Sequence, residues 1–172
     1  MKLKINKKKF IYLISPNKIY KNFFRDLRLV LENKKISFFQ LRLKNYTFRQ
    51  KVSIGKKVKA ICKNNKVKFL INDDPVLSYK LDADGCHLGQ KDMHIEEARK
   101  IIGKKIIGIT CHNSIVLAKR AIKANASYIA LGAFYPSKTK KIKKIANIKI
   151  LNKIKRYTKI PIVAIGGINS EN

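Results

Sequence analysis

Seven short apolar runs recur along the chain, at residues 10–14, 36–41, 67–71, 85–88, 106–110, 128–131 and 162–165. They are rich in Ile, Val, Phe and Tyr and nearly continuous, the pattern of strands covered on both faces. Between them lie stretches of helical periodicity. Residues 23–33 put Phe24, Leu27, Val30 and Leu31 on one face, residues 95–102 form a second stretch, and residues 114–123 a third with Ile115, Leu117, Ala118 and Ile122. Asn113 or Ser114 suits the N-cap of the third, and Pro161 stands at the entry to the last strand, where proline is tolerated. Strand and helix alternate without a linker or a low-complexity segment, which calls for a parallel sheet with covering helices.

An open doubly wound sheet and a closed barrel both satisfy that alternation. Nothing like GxGxxG follows the first strand, which weakens a dinucleotide-binding reading. Polar and glycine-containing motifs instead follow nearly every strand, and in a barrel all those points share the face where active sites form. The expected fold is an α/β chain of the (β/α)8 TIM-type barrel class. Seven strands are visible, so residues 1–172 are expected to form a single barrel domain incomplete at its C-terminus. The eighth strand and the closing helices are the parts expected to be lacking.

Composition narrows the function classes. A chain of 172 residues with 45% hydrophobic residues supports one folded domain with a real core. Lys and Arg number 40 against 10 Asp and Glu, a formal net charge of +30. Only 7 of those cations are Arg, the planar reader of bases and phosphates, so the charge reads as a compositional drift. A basic surface attracts polyanions without specificity. With no Trp and no helix-turn-helix or RNA-binding motif, specific nucleic-acid binding is not expected. Cys62, Cys86 and Cys111 form no CxxC pair and fit reduced thiols in the cytoplasm. Cys86-His87 and Cys111-His112 match no familiar zinc spacing. The basic N-terminus makes a poor signal peptide, and no stretch approaches the 18 apolar residues of a membrane span. A soluble, cytoplasmic protein is expected.

Five of the ten acids fall between residues 73 and 92: Asp73, Asp74, Asp82, Asp84 and Asp92. Asp73 follows the third apolar run and Asp92 comes just after the fourth. Magnesium takes one or two carboxylates together with phosphate oxygens and water. Two aspartates at the ends of neighbouring parallel strands, beside Asn72, therefore suit Mg²⁺ on a diphosphate. Asp is equally a common cap and turn residue. The second run ends in Gln40-Leu41-Arg42-Leu43-Lys44, whose alternate residues share a face, so Gln40, Arg42 and Lys44 are expected to point inward toward the barrel mouth. The fifth leads to Thr110, His112 and Asn113 at a helix start, where an anion or a simple cap both fit. His112 suits an acid–base role or a structural one. The sixth leads to a loop with Ser137, Thr139 and Lys140, and the seventh to Gly166-Gly167, whose backbone can approach a phosphate closely.

In this order and at these spacings the motifs closely resemble the thiamine phosphate synthase family, whose pattern runs QxRxK, IND, DGxHLGQxD, GxSxHN, GPxFxTxTK and AIGGI. DGCHLGQKD at residues 84–92 is the specific match. The resemblance implies a (β/α)8 barrel that joins a pyrimidine diphosphate to a thiazole phosphate, with Mg²⁺ as cofactor. It implies pyrimidine-diphosphate contacts at Gln40, Arg42, Lys44, Asn72, Thr110 and Lys140, magnesium ligands at Asp73 and Asp92, and thiazole-phosphate contacts at Ser137, Thr139 and Gly167. Arg42, Lys44 and Lys140 would carry the catalytic charge on the departing diphosphate. Departures are Thr110 for Ser, Ser137 for Thr, Ala133 for Pro and Asp74 for Arg. The alternatives are a thiazole tautomerase of the same fold and an inactive basic fragment that binds anions or nucleic acid. The expected partners are small phosphate and diphosphate molecules.

Overall fold

Parallel pairing runs unbroken through the structure, a computed structural model that describes residues 10–136, 145–169 and 171–172. The strands are β1 (Ile11–Ile14), β2 (Ile36–Leu41), β3 (Lys68–Asn72), β4 (Gly85–Leu88), β5 (Ile106–His112), β6 (Tyr128–Gly132) and β7 (Ile162–Ile165). They lie side by side in sequence order, in a nearly closed barrel that matches a TIM-type barrel lacking one strand. Helices α1 (Phe23–Leu31), α2 (Phe48–Asn64), α3 (Pro75–Lys80), α4 (Ile95–Ile102), α5 (Ile115–Lys123) and α6 (Lys149–Lys155) connect them. No helix among the described residues is long and apolar enough to cross a membrane.

Alternation along each strand divides the barrel into two chemistries. Outward residues pack against the helices in two buried apolar clusters. Phe39, Leu41, Phe69 and Ile71 meet α1, α2 and α3 residues such as Leu27, Leu31, Val58 and Leu77. Cys86, Leu88, Ile107, Ile109, Cys111, Ile129 and Leu131 meet Ala98, Ile102, Ala118 and Ile154. Inward residues form a smaller cluster at the lower end, Phe38, Leu70, Ile106 and Tyr128, with Tyr12 and Val163 against it. β4 and β6 are buried along their whole length, whereas Ile11 and Ile14 of β1 are exposed. All three cysteines are buried and unpaired, and burial pushes each thiol up to about 12.

The longest helix, α2, is not foretold by apolar periodicity. Its buried positions include Gly55, and the rest of the helix is crowded with lysine. Its start is nonetheless written in Thr47 and Gln50, which form a reciprocal capping box. α3 begins with Asp74 accepting from Leu77 N at 2.8 Å, followed by Pro75. Ser114, one of the two expected caps, accepts from Leu117 N and opens α5.

Close strand contact sets a strict limit at Gly85, where an added Cβ would lie 1.9 Å from the Ile106 carbonyl oxygen. That backbone is held by Ile106 N donating to Asp84 O and by Ser78 Oγ donating to Gly85 O. Gly85→Ala is expected to cost about 1–3 kcal/mol of stability through overpacking. A urea denaturation midpoint equal to that of the wild type would remove the constraint.

Candidate active site

The C-terminal ends of the strands gather polar groups that the outward faces exclude. Gln40, the last inward residue of β2, is buried, and its Nε2 donates to Tyr12 Oη at 3.1 Å. Tyr12 Oη lies 2.7 Å from Tyr128 Oη, and Tyr128 Oη lies 2.8 Å from His87 Nδ1. His87 Nε2 lies 2.7 Å from Thr110 Oγ1. One chain of hydrogen bonds thus crosses the barrel from β2 through β1, β6 and β4 to β5. Gly108 makes this crossing possible. It pairs with His87 on one side and Tyr128 on the other, and a Cβ there would lie 1.9 Å from the Tyr128 ring. The phenol therefore occupies the space that a side chain on β5 would fill and stacks on the imidazole. Burial holds His87 down to about 4, with the Asp92 charge opposing in part, so the imidazole is neutral at pH 7. Burial also raises both tyrosines well above the ordinary phenol range.

β2 ends at Leu41, and Arg42 and Lys44 stand in the loop beyond it, while Leu43 still packs with Leu41 in the outer apolar cluster. Arg42 is held there from the loop after β1. Ser15 Oγ accepts from its backbone N at 2.8 Å, and its guanidinium donates to Asn17 Oδ1. Lys44 N donates to Asn17 O, and the Lys44 charge acts on Asp73.

The five clustered acids separate. Asp82 pairs with Lys59 and Lys105, and Asp84 with Lys68, all at the N-terminal end of the strands. Asp74 caps α3. Asp73 and Asp92 alone come together at the C-terminal mouth. Asp73 has φ +63° directly after β3, with its N–H donating to His87 O. Asp92 Oδ2 accepts from Gly89 N at 2.6 Å. Burial, a shared hydrogen bond and the like charge of Asp92 push Asp73 up to about 6, opposed by Asn72 and Lys44. Two facing carboxylates are hard oxygen donors whose repulsion a divalent cation relieves, and they fit Mg²⁺. Among the described residues no cluster of three or more His, Cys, Asp or Glu is gathered. Cys86 and His87 point to opposite faces of β4, which removes them as a joint zinc pair.

Across the mouth, Gly166 and Gly167 have φ of +88° and +71°. Tyr135 N donates to Gly166 O, and a Cβ on Gly167 would lie 2.3 Å from Pro136 O. The glycine pair thus packs closely against Tyr135 and Pro136. Ser137, Thr139 and Lys140 themselves lie outside the described residues. A sequence model of the thiamine monophosphate synthase family matches residues 11–172.

The chain belongs to the thiamine monophosphate synthase family.

Other comparisons agree. The thiamine-phosphate synthase of Pelagibacter ubique (strain HTCC1062) is 64% identical over 170 residues, covering 98% of this chain and 82% of that protein. That of Clostridium tetani (strain Massachusetts / E88) is 38% identical over 166 residues, covering 94% and 78%. The solved thiamine phosphate pyrophosphorylase from Pyrococcus furiosus superposes with a TM-score of 0.84 at 32% identity, covering 95% of this chain and 78% of that one. In this thiamine monophosphate synthase family member, Gln40, Arg42, Lys44, Asn72, Asp73, Asp92, Thr110 and Gly167 all lie at the C-terminal ends of strands or in the loops just beyond. Sequence reasoning passed over Tyr12, Tyr128 and the inward role of His87. The available signal was an aromatic hydroxyl inside an otherwise apolar strand, since a buried Tyr O–H needs a partner. His112 sits exposed at the end of β5 with φ +49°, where the register with β6 shifts.

The facing carboxylates predict a pH effect on stability. A carboxyl whose folded pKa stands above its unfolded value costs stability above the folded value and nothing below the unfolded one. Asp73→Asn in metal-free buffer is expected to stabilise the chain at pH 8. The gain is on the order of 1 kcal/mol once partial exposure is discounted. Near pH 4 the two proteins should unfold at the same urea concentration. A gain that is larger at pH 4 would remove the repulsion account.

Proposed function

We propose that the chain is a thiamine phosphate synthase. It would join 4-amino-2-methyl-5-(diphosphooxymethyl)pyrimidine to 4-methyl-5-(2-phosphooxyethyl)thiazole, giving thiamine phosphate and diphosphate. The observation that carries this reading is the convergence of Gln40, Asn72, Thr110 and the Asp73–Asp92 pair on one barrel mouth, in residues met along the chain in the family's motif order. The 64% identical thiamine-phosphate synthase supports it.

The carbon–oxygen bond to the diphosphate breaks with its electron pair leaving on oxygen, and the thiazole nitrogen then gives its pair to the resulting pyrimidine methylene cation. Arg42, Lys44 and Lys140 would meet the charge that grows on the leaving group, which is where a fixed cation lowers the barrier most. Asp73 and Asp92 would hold Mg²⁺, which supplies further neutralisation of the diphosphate when bound. Gln40 and Thr110 would orient the pyrimidine diphosphate, and Gly167 with Ser137 and Thr139 the thiazole phosphate. No protein nucleophile takes part. The thiols of Cys86 and Cys111 face the helices and are held protonated, away from the mouth. A thiazole tautomerase would have no use for paired carboxylates beside Arg42 and Lys44.

Incubating the chain with both substrates and Mg²⁺ should yield thiamine phosphate and diphosphate in equal amounts, and no product overturns the reading. Arg42→Ala should lower kcat by roughly 10–100-fold, the value of a charge-assisted hydrogen bond, with little effect on thiazole binding. An unchanged kcat makes Arg42 a loop residue only. Asp92→Asn is close to isosteric and should weaken Mg-dependent diphosphate binding measured by calorimetry. Equal Mg²⁺ dependence in mutant and wild type would remove the metal role.

A further inference from the structure

The interior chain from Gln40 to Thr110 has four links and a fixed number of hydrogens to fill them. Gln40 Nε2 is a donor only, so the first link is filled from the amide. Among the described residues, the single Tyr12 hydrogen then has one remaining neighbour, Tyr128 Oη, and the Tyr128 hydrogen in turn has only His87 Nδ1. Nδ1 is therefore an acceptor, and the one hydrogen of a neutral imidazole sits on Nε2 and fills the link to Thr110 Oγ1. An imidazolium would bring one hydrogen too many and force Tyr12 O–H against the Gln40 N–H. Gln, Tyr, Tyr and His supply four hydrogens for four links. The Thr110 hydroxyl hydrogen is left over and stays available to a group outside this chain of bonds.

We infer that Tyr12, Tyr128 and His87 are positioning residues that hold the Thr110 hydroxyl as an outward donor to an anionic oxygen of the substrate. The inference rests on the reading of Thr110 as a diphosphate contact and adds what sets its polarity. Run the other way, with Gln40 turned to accept, the same chain would consume the Thr110 hydrogen and present lone pairs to an anion. The direction is thus a choice between attraction and repulsion at that oxygen. Gly108 is part of the device, because only without a side chain there can the Tyr128 phenol reach His87 across β5.

The wild-type protein, labelled with ¹⁵N in its histidine rings, tests the direction without any substrate. His87 is distinguished from His94 and His112 by replacing each of those in turn. At neutral pH, His87 should carry its proton on Nε2 with Nδ1 bare. A proton on Nδ1, or on both nitrogens, overturns the inference. Inorganic diphosphate with Mg²⁺ then probes the consequence. Thr110→Ala and Tyr128→Phe should each weaken its binding by about 3–10-fold, Thr110→Ser should keep wild-type affinity, and the double variant should be no weaker than Thr110→Ala alone. Additive losses would make Tyr128 merely structural and sink the positioning role. Should Tyr128→Phe not fold, the wild-type ring spectrum and Thr110→Ala still decide. Unchanged diphosphate binding by Thr110→Ala with the expected tautomer would show a donor with no anion to meet, and overturns the assignment. A failure to form thiamine phosphate, by contrast, counts against the enzymatic reading and leaves the tautomer result standing.

Discussion

Outward burial of alternate strand residues is the condition on which everything else in this barrel depends. Phe39, Phe69, Ile107, Ile129 and Leu131 are almost wholly removed from water by the helices. Each such side chain contributes about 1.5–3 kcal/mol on burial. That apolar shell lets the inward row carry groups that stabilise little by themselves. Tyr12, Gln40, His87, Thr110 and Tyr128 sit where a close-packed barrel would otherwise place branched aliphatics. Their tolerance rests on complete pairing. Among the described residues no buried side-chain nitrogen or oxygen lacks a hydrogen-bond partner. A half-satisfied version of the same network would cost more than an apolar core.

Carboxylates are scarce here, and the fold spends them at two ends of the barrel. Asp82 and Asp84 join lysines at the N-terminal ends of the strands, where exposed pairs add little energy but order the loop ahead of β4. Asp73 and Asp92 are left together at the other end, in an arrangement that is unfavourable for an empty protein. Repulsion kept at one place, in a chain of net charge +30, supports the proposed Mg²⁺ site.

Much of this was legible in the residues. The runs at 36–41, 85–88 and 162–165 are strands over those same residues, the first and last through residues such as Ile36, Phe38, Ile162 and Val163 that suit a buried pleat. The motif DGCHLGQKD located the carboxylate turn. What stayed hidden depends on contacts across strands. α2 has a weak apolar stripe and reveals itself only through the Thr47 cap. β2 stops at Leu41 although Leu43 still packs with it in the outer cluster, so the end of that strand was less legible than its faces. Tyr12 and Tyr128 lie 116 residues apart, and no local pattern announces that their hydroxyls meet. Gly108, inside the run 106–110, gives no local sign that its neighbour's ring takes the place of a side chain there.

The cysteines give the shell a property of its own. Cys62 lies on α2, while Cys86 and Cys111 lie on the backs of β4 and β5, and all three thiols are held near 12. Alkylating reagents attack the thiolate, which is almost absent at neutral pH behind closed helices. Each sulfur therefore stays silent until the helix over it lifts. Cys62 times the opening of the α2 side, and Cys86 and Cys111 time that of the α4–α5 side. Mass added per cysteine over time becomes a local clock for how the two halves of the barrel breathe, written into the chain without any engineered label.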